Sequence, residues 1–278
     1  MKENSYSALN ISIANGVATV TIDNPPINLF DITLIGELDQ AGQFLAENTD
    51  IKVVVLESGN PDFFIAHADV LTIQKLPAPG EQGSEVMAAF HQVVDRFRTM
   101  PKATIAKIEG RCRGGGSELA LACDMRFAAI GKAVLSQPEV GLGIIPGGGG
   151  SVRLPRLVGR GRALEIILGC ADFDAELAER YGYINRAIPA TEIGSFVDKL
   201  ANRIASFPIE AIATAKEVVT NNDAGLEQDL AVEQQSFLRS ANNITSKRRM
   251  DAAMSFGLQT EKVEKAEMDK LWAFLDKD

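Results

Sequence analysis

The sequence of 278 residues predicts an α/β core followed by a helical C-terminal region. Short runs rich in β-branched residues alternate with segments of helical periodicity up to about residue 190. Two dense glycine clusters adjoin apolar segments within that part of the chain. Beyond it the chain is charged and amphipathic and contains few β signals. We therefore divide the chain into a core, residues 1–195, and a helical region, residues 196–278.

The first elements follow from side-chain alternation and capping. Residues 16–22, GVATVTI, alternate small or polar with branched apolar residues, which predicts a strand. Asp31 or Thr33 can cap a helix over about 33–47. Residues 51–57, IKVVVLE, form a nearly continuous β-branched run, the pattern of a strand that is buried on both faces.

The middle of the chain predicts a loop, two helices and two strands. Residues 76–83 are rich in proline and glycine without periodicity, which indicates a mobile loop. A helix over 84–99 has apolar residues at i, i+3 and i+4 spacing. The stretch 103–110, ATIAKIEG, is expected to be a strand, and residues 117–124, SELALACD, a short buried helix. MRFAAI at 125–130 predicts a further strand.

From about residue 155 the prediction is mostly helical, broken by YINRAI at 183–188. The amphipathic stretches of this part are residues 190–205, 208–221, 226–240 and 244–276.

Composition excludes several classes of protein. The 28 Lys and Arg against 37 Asp and Glu give a net charge of −9, which argues against nucleic acid as the main partner. Three cysteines without a Cys-x-x-Cys pair indicate free thiols in a reducing compartment. The sequence shows no apolar signal core at its start and no long uncharged apolar run, so we expect a cytoplasmic protein without a membrane partner. With only His67 and His91, and no ligand cluster around them, we expect no metal site.

Two glycine clusters and two glutamates are the strongest candidates for a functional site. Residues 114–116 and 147–150 are consecutive glycines, a density that indicates positive φ or close approach of the backbone to a ligand. For either cluster taken alone, we favour the simpler interpretation of a tight turn. Glu118 and Glu139 have apolar neighbours that would raise their pKa and suit them to acid–base chemistry. The residues alone also allow a capping role for Glu118 and an exposed loop position for Glu139.

Three motifs resemble those of the crotonase (enoyl-CoA hydratase/isomerase) superfamily and occur in its order. FIAHAD at 64–69 is similar to the family's F-x-A-G-A-D segment, and GRCRGGGSELA at 110–120 resembles its G-x-x-x-GGG-x-E-L-A segment. QPEVGLG at 137–143, with PGGGG at 146–150, resembles its P-E-x-x-x-G and P-G-x-G-G stretch. The resemblance covers about residues 10–220. It implies a crotonase-like ββα spiral core and an acyl-CoA thioester substrate.

The resemblance implies a role for four residues in particular. The backbone amides of Ala68 and Gly115 would hold the thioester carbonyl, where loss of one such donor typically costs about 10²–10³ in rate. Glu118 and Glu139 would hold one water between them. Glu118 would act as the base when that water attacks Cβ, and Glu139 would supply the proton to Cα. Because two neighbouring carboxyl groups do not both ionise easily, they would share a proton.

Two residues depart from the family's pattern. His67 stands where glycine is usual, and it is either an extra acid–base group or a wall of the site; we favour the wall. Arg113 stands where small apolar residues are usual, and it either meets an acidic substrate tail or pairs with a buried acid such as Asp124. The resemblance also implies substrate or CoA contacts from Ala66, His67, Asp69, Gly114 and Arg113.

The leading hypothesis is an enoyl-CoA hydratase-like lyase that adds water across the 2,3 double bond of a trans-2-enoyl-CoA thioester. It needs no cofactor, since CoA is part of the substrate. By analogy with the family we expect a homotrimer or a dimer of trimers. Other crotonase chemistry on acyl-CoA (isomerisation, hydrolysis or decarboxylation) and a non-catalytic acyl-CoA-binding protein remain alternatives. Nothing in the sequence fixes the acyl chain length.

Overall fold

The computed structural model describes residues 6–81, 85–221 and 223–276. The strands of these residues are β1 (Leu9–Ala14), β2 (Val17–Ile22), β3 (Val53–Ser58), β4 (Phe63–Ile65), β5 (Ala103–Ile108), β6 (Arg111–Arg113), β7 (Met125–Ile130), β8 (Val134–Ser136), β9 (Phe173–Asp174) and β10 (Arg186–Pro189).

The helices are α1 (Ile32–Glu47), α2 (Val70–Gln74), α3 (Glu85–Thr99), α4 (Gly115–Ala122), α5 (Gly150–Val158), α6 (Arg160–Gly169), α7 (Ala175–Tyr181), α8 (Ile193–Ala205), α9 (Ile209–Thr220), α10 (Leu226–Ala241), α11 (Ile244–Phe256), α12 (Glu261–Ala266) and α13 (Met268–Leu275). A short 3₁₀ helix spans Glu139–Leu142.

The strands form two sheets. The larger sheet has the order β1-β2-β3-β5-β7-β10, and its neighbours are parallel except for the antiparallel pair β1 and β2. The smaller sheet has the order β4-β6-β8-β9, in which β4, β6 and β8 are parallel. Parallel neighbours require crossover connections, and helices supply most of them. The α/β fold class predicted from the sequence is confirmed.

Strand β3 shows why the larger sheet carries helices on both faces. Its residues 53–56 are all buried, as the continuous β-branched run predicted. Val54 and Leu56 pack into the main hydrophobic core, while Val53 and Val55 pack into a second cluster with α8 on the opposite face. Alternate side chains of one strand therefore belong to separate cores.

The smaller sheet brings three loops to one place. Strands β4, β6 and β8 are parallel neighbours, so their carboxyl ends lie at the same edge. Residues 66–69 follow β4, Gly114 and Gly115 follow β6, and residues 137–139 follow β8. The carboxyl edge of parallel strands is where open α/β sheets bind ligands. All three motifs quoted from the sequence meet at this edge.

The structure differs from the expected elements where strands are short. The strand expected over 103–110 is β5, which ends two residues early at Ile108 in the larger sheet; the chain then turns, and the unpredicted β6 begins at Arg111 in the smaller sheet. β1 was not predicted, and most of its side chains are at least partly exposed, so no buried run marks it. The helical stretch predicted at 244–276 is divided into α11, α12 and α13. Of the loop predicted at 76–83, residues 82 and 83 lie outside the described residues.

The boundary drawn at residue 195 lies inside α8. The main hydrophobic core contains side chains from both sides of it, among them Leu119 of α4, Phe237 of α10 and Met250 of α11. The C-terminal helices thus pack directly on the core. Among the described residues, no helix combines the length and apolar character that a membrane span requires.

Candidate active site

The backbone of the loop after β4 is fixed by Phe30. The amide of Phe30 donates to the carbonyl of His67 at 2.9 Å, and the amide of Asp69 donates to the carbonyl of Phe30 at 3.3 Å. This is a parallel bridge between Phe30 and Ala68. Both hydrogen bonds of this bridge run to the neighbours of Ala68, so the N–H of Ala68 itself points away from the backbone of Phe30. The amide of Ala68 is therefore directed to the opposite side from Phe30.

Gly115 packs beside Ala68, and a Cβ built on it would lie 3.4 Å from both Ala68 Cβ and Phe30 Cδ1. A Cβ built on Gly115 would be 3.5 Å from the amide nitrogen of Ala68, so a side chain there would fill the space beside that amide. Gly115 is also the first residue of α4, and the first amides of a helix have no partner within it. Both residues line one cavity. Two backbone donors thus flank a common space.

Glu118 is buried on α4 and is held by the second glycine cluster. Its Oε1 accepts hydrogen bonds from the amides of Gly148 at 2.6 Å and Gly150 at 2.9 Å. Burial raises the pKa of Glu118, although these two amides and Arg153 oppose the shift. The two N–H donors fix the direction of the carboxylate.

Glu139 is the second buried carboxyl group of the cavity and begins the 3₁₀ helix. Burial raises its pKa well above the ordinary value, and the charges of Glu118 and then Glu233 add to the shift. The Gln137 side-chain amide is oriented with its nitrogen towards Glu139. This nitrogen lies 3.1 Å from both Glu139 carboxylate oxygens, and the Gln137 amide oxygen accepts from Ser117 Oγ. Glu118 and Glu139 are therefore electrostatically coupled acids in one site.

Gly114 lies between the side chains of Glu139 and His67. Its φ is +49°, a region that side chains disfavour. A Cβ there would lie 2.9 Å from Glu139 Oε1 and 3.4 Å from His67 Cβ. Any larger residue would push Glu139 away from the cavity.

The cavity measures about 560 Å³ out to its open mouth. Its polar groups are few and its walls are mainly apolar, a combination typical of small-molecule sites. The apolar side chains that line it are Phe30, Ile35, Ile73, Leu76, Phe90, Ile144 and Phe237.

A second cavity adjoins the first and shares Ala68, Ile73, Glu139 and Ile144 with it. Its further lining includes residues of the C-terminal helices, namely Met268 and Trp272 of α13 and Leu258 just after α11. His67 lines this second cavity.

His67 and Arg113 belong to one buried ionic network around Glu264. His67 Nε2 lies 2.9 Å from Glu264 Oε1, and Arg113 Nη1 lies 3.3 Å from Glu264 Oε2. Arg113 also forms a two-point ion pair with Asp172, at 2.8 and 2.6 Å. The suggested partner Asp124 instead pairs with Lys216, at 3.0 Å. The Arg113 guanidinium is thus committed to two protein carboxylates.

The remaining expected contact residues lie near the site in different settings. Asp69 lines the first cavity and caps α2, where it accepts from the backbone and hydroxyl of Thr72. Burial raises the pKa of Asp69, but hydrogen bonds from Thr72 and Gln259 outweigh it and leave the pKa lowered. Ala66 is fully buried in a small cluster with Ile27 and Phe63.

Sequence reasoning missed Glu264 and also a further buried carboxyl group, that of Glu233 on α10. Its Oε1 accepts from the amide of Ser151 at 2.7 Å, and its Oε2 has no hydrogen-bond partner among the described residues. Burial, and then the charge of Glu118, raises the pKa of Glu233 to about 8. A signal was available: Glu233 follows Leu226 and Leu230 and precedes Phe237 on the buried stripe of α10.

Comparisons with known proteins agree with this architecture. The model of the enoyl-CoA hydratase/isomerase family matches residues 12–263. The "Probable enoyl-CoA hydratase, mitochondrial" of Dictyostelium discoideum is 32% identical over 238 residues, 85% of this chain and 84% of that protein. The "Short-chain-enoyl-CoA hydratase" of Clostridium acetobutylicum is 31% identical over 223 residues, 80% of this chain and 84% of that protein.

Solved structures are also similar. One from Streptomyces avermitilis, provisionally assigned as an enoyl-CoA hydratase, has a TM-score of 0.88 at 36% identity and covers 99% of this chain and 100% of that one. The enoyl-CoA hydratase of Bacillus halodurans has a TM-score of 0.81 at 26% identity, with 88% and 100% covered.

Proposed function

The chain belongs to the enoyl-CoA hydratase/isomerase family, as its motifs predicted, and from this premise we propose that it hydrates trans-2-enoyl-CoA thioesters. The observation that carries the proposal is the pair of buried carboxyl groups, Glu118 and Glu139, lining one cavity with the backbone of Ala68 and Gly115. The relatives named as hydratases support it. The crotonase fold, which the structural similarity bears out, is the framework for the mechanism that follows.

In the proposed mechanism the amides of Ala68 and Gly115 donate to the thioester oxygen. Negative charge develops on this oxygen when the double bond accepts a nucleophile, since the π electrons move towards the carbonyl. Fixed donors aimed at the developing charge need no reorganisation during the reaction. They therefore stabilise the enolate more than the neutral substrate.

The two carboxyl groups divide the proton transfers. We assign the ionised form to Glu118, because two backbone amides donate to its Oε1. We assign the proton to Glu139, because burial and the neighbouring charge of Glu118 raise its pKa well above the ordinary value. Only one of these two carboxyl groups then carries a charge.

The bonds change in the following order. The oxygen of a water molecule bonds to Cβ while one of its protons passes to Glu118. The resulting enolate collapses, and Cα takes the proton of Glu139. Transfer of a proton from Glu118 to Glu139 restores the starting state. The substrate gains one water, and the bond to CoA stays intact.

We further propose that the apolar wall of the first cavity receives the acyl chain. Phe90, Leu76 and Phe237 surround the space beyond the carboxyl groups. Such walls favour an acyl chain without charge, because a charged group would be desolvated there. The cytoplasmic location, the absence of a cofactor and the trimeric assembly stay predictions.

Kinetics of glutamine variants of the two glutamates test the proposal. Purified wild-type protein should consume crotonyl-CoA in buffer without added cofactor, with loss of the conjugated enoyl-thioester absorbance. Glu118→Gln and Glu139→Gln keep the side-chain volume but remove the base and the acid, so each should lower kcat by about 10²–10⁴. Affinity for butyryl-CoA should change little. Normal hydration by both variants would refute the assigned roles.

A further inference from the structure

The segment between α11 and α12 contacts the loop that contains Ala68. The amide of Gln259 bridges two positions of this loop, since its Oε1 accepts from the backbone N–H of Val70 at 2.8 Å and its Nε2 donates to Asp69 Oδ1 at 2.9 Å. Gln259 has a φ of +69°, a conformation that L side chains adopt rarely. The side chain is thus held against the loop by an unusual backbone geometry.

His67 provides a second connection, from the loop that contains Ala68 to Glu264 of α12. Its Nδ1 lies 2.8 Å from the carbonyl oxygen of Ala68, and its Nε2 lies 2.9 Å from Glu264 Oε1. A carbonyl and a carboxylate can only accept, so both ring nitrogens donate and the side chain is an imidazolium. The ring therefore connects Glu264 to the peptide group that follows the Ala68 amide.

Glu264 also contacts Arg113 of β6, the strand that precedes Gly115. Its carboxylate and its backbone carbonyl both lie within reach of Arg113 Nη1, at 3.3 and 3.0 Å. Arg113 is the last residue of β6, two positions before Gly115. Arg113 and Glu264 are almost completely buried, and the network ends at the partly exposed Asp172. A buried carboxylate with two charged partners has little freedom to move.

The Glu264 carboxylate thus contacts a residue shortly before each of the two proposed oxyanion-hole amides, those of Ala68 and Gly115. His67 directly precedes Ala68, Arg113 closely precedes Gly115, and Glu264 lies between their side chains. We propose that Glu264, assisted by Gln259, is a positioning residue that sets the relative placement of the Ala68 and Gly115 amides. This inference rests on the proposed function, because it assumes that these amides bind the thioester oxygen.

The proposal distinguishes binding of an enolate from binding of a neutral carbonyl. A misplaced pair of amides costs most where charge has developed on the oxygen. Two probes measure this difference in the same protein: acetoacetyl-CoA, which can bind as its enolate, and butyryl-CoA, which cannot form a conjugated one. The enolate of acetoacetyl-CoA is followed by its near-ultraviolet absorbance.

Glu264→Gln is the main variant, and Glu267→Gln is its matched control. The control carries the same substitution nearby, on a carboxylate that pairs with the exposed Lys262 and Lys270. In Glu264→Gln we expect kcat for crotonyl-CoA and affinity for the acetoacetyl-CoA enolate to fall together by about 10–10². Affinity for butyryl-CoA and the values for Glu267→Gln should stay within about threefold of wild type.

Gln259→Gly keeps the test valid if Glu264→Gln does not fold. Glycine tolerates the positive φ at this position, so only the side-chain bridge to the loop is lost. We expect the same selective loss of enolate affinity, smaller in size. A folded Glu264→Gln or Gln259→Gly protein with wild-type enolate affinity would overturn the proposal. An equal loss of enolate and butyryl-CoA binding would overturn it too.

Failure of the proposed function gives a different result. A wild-type protein that binds acetoacetyl-CoA as its enolate but does not hydrate crotonyl-CoA would contradict the hydratase assignment. The selective effect of Glu264→Gln on enolate binding would then still support the positioning role.

Discussion

The carboxylate of Glu118 accepts a hydrogen bond of 2.6 Å from the backbone amide of Gly148. This contact joins α4, which begins within the first glycine cluster, to the second cluster about thirty residues further along the chain. It fixes one oxygen of the proposed base and leaves Oε2 for a reacting water. The second cluster therefore acts on the site through its backbone.

Gly148→Ala tests this contact. A Cβ at position 148 would lie 2.2 Å from Phe90 Cε1 and 2.5 Å from Glu118 Oε2, so both side chains would have to move. We expect a loss of about 1–3 kcal/mol in the free energy of unfolding. We also expect kcat to fall by about 10² or more, because the base is displaced.

Gly161→Ala is the control for that variant. Gly161 is exposed near the start of α6, and a Cβ there meets no atom within 4 Å. Its stability should be unchanged or raised by up to about 1 kcal/mol. Wild-type turnover in Gly148→Ala would show that Glu118 does not need this close backbone approach.

Glu233→Gln should change how stability depends on pH. The folded-state pKa of Glu233 is about 8, above the ordinary value of 4.5. Between these values the folded protein holds a proton at Glu233 that the unfolded chain has released, so stability falls as the pH rises. Glutamine does not ionise, so the variant lacks this fall of stability with pH. Relative to wild type, Glu233→Gln should therefore gain stability between about pH 4.5 and pH 8.

Urea unfolding at several pH values across this window checks the expectation. Glu227→Gln, on the exposed face of the same helix, is the control and should follow the wild type. A difference between Glu233→Gln and wild type that does not vary with pH would contradict a raised pKa at Glu233.

His67→Gln should lose stability mainly at neutral and acidic pH. Burial lowers the pKa of His67, but Glu264 outweighs it and the folded-state pKa is raised above 6.5. The groups that face the imidazole are Glu264 from α12, Arg113 from β6 and Glu139 across the second cavity. A raised pKa contributes stability that is complete below about pH 6.5 and is lost as the pH rises through the folded-state value.

The stability difference between wild type and His67→Gln should accordingly be larger at pH 6 than at pH 9. Chemical denaturation at the two pH values measures it, with the slope of the transition checked for constancy. An equal difference at both pH values would mean that His67 is neutral in the folded protein.

Much of the fold was predictable because its signals are local. The continuous apolar run of β3 and the periodicity of α3 are visible in short windows of sequence. The short strands β4, β6, β8 and β9 were not predicted, since each has only two or three residues and is defined by its neighbours. These strands nevertheless build the edge at which the site lies.

The site was predictable only where motifs carry it. Their apolar neighbours made Glu118 and Glu139 candidates, the resemblance gave them roles, and both line one cavity in the structure. Glu264 could not be found in this way, because its partners His67 and Arg113 are more than 150 positions away. Pairing between such distant residues depends on how α12 packs, which no local pattern specifies.

Product analysis in heavy-oxygen water tests the central claim most directly. Wild-type protein is incubated with crotonyl-CoA, and the thioester is analysed by mass spectrometry. We expect a product that retains CoA and gains one labelled water, with the heavy oxygen on Cβ. Release of a labelled free acid, or a thioester of unchanged mass, would contradict the account.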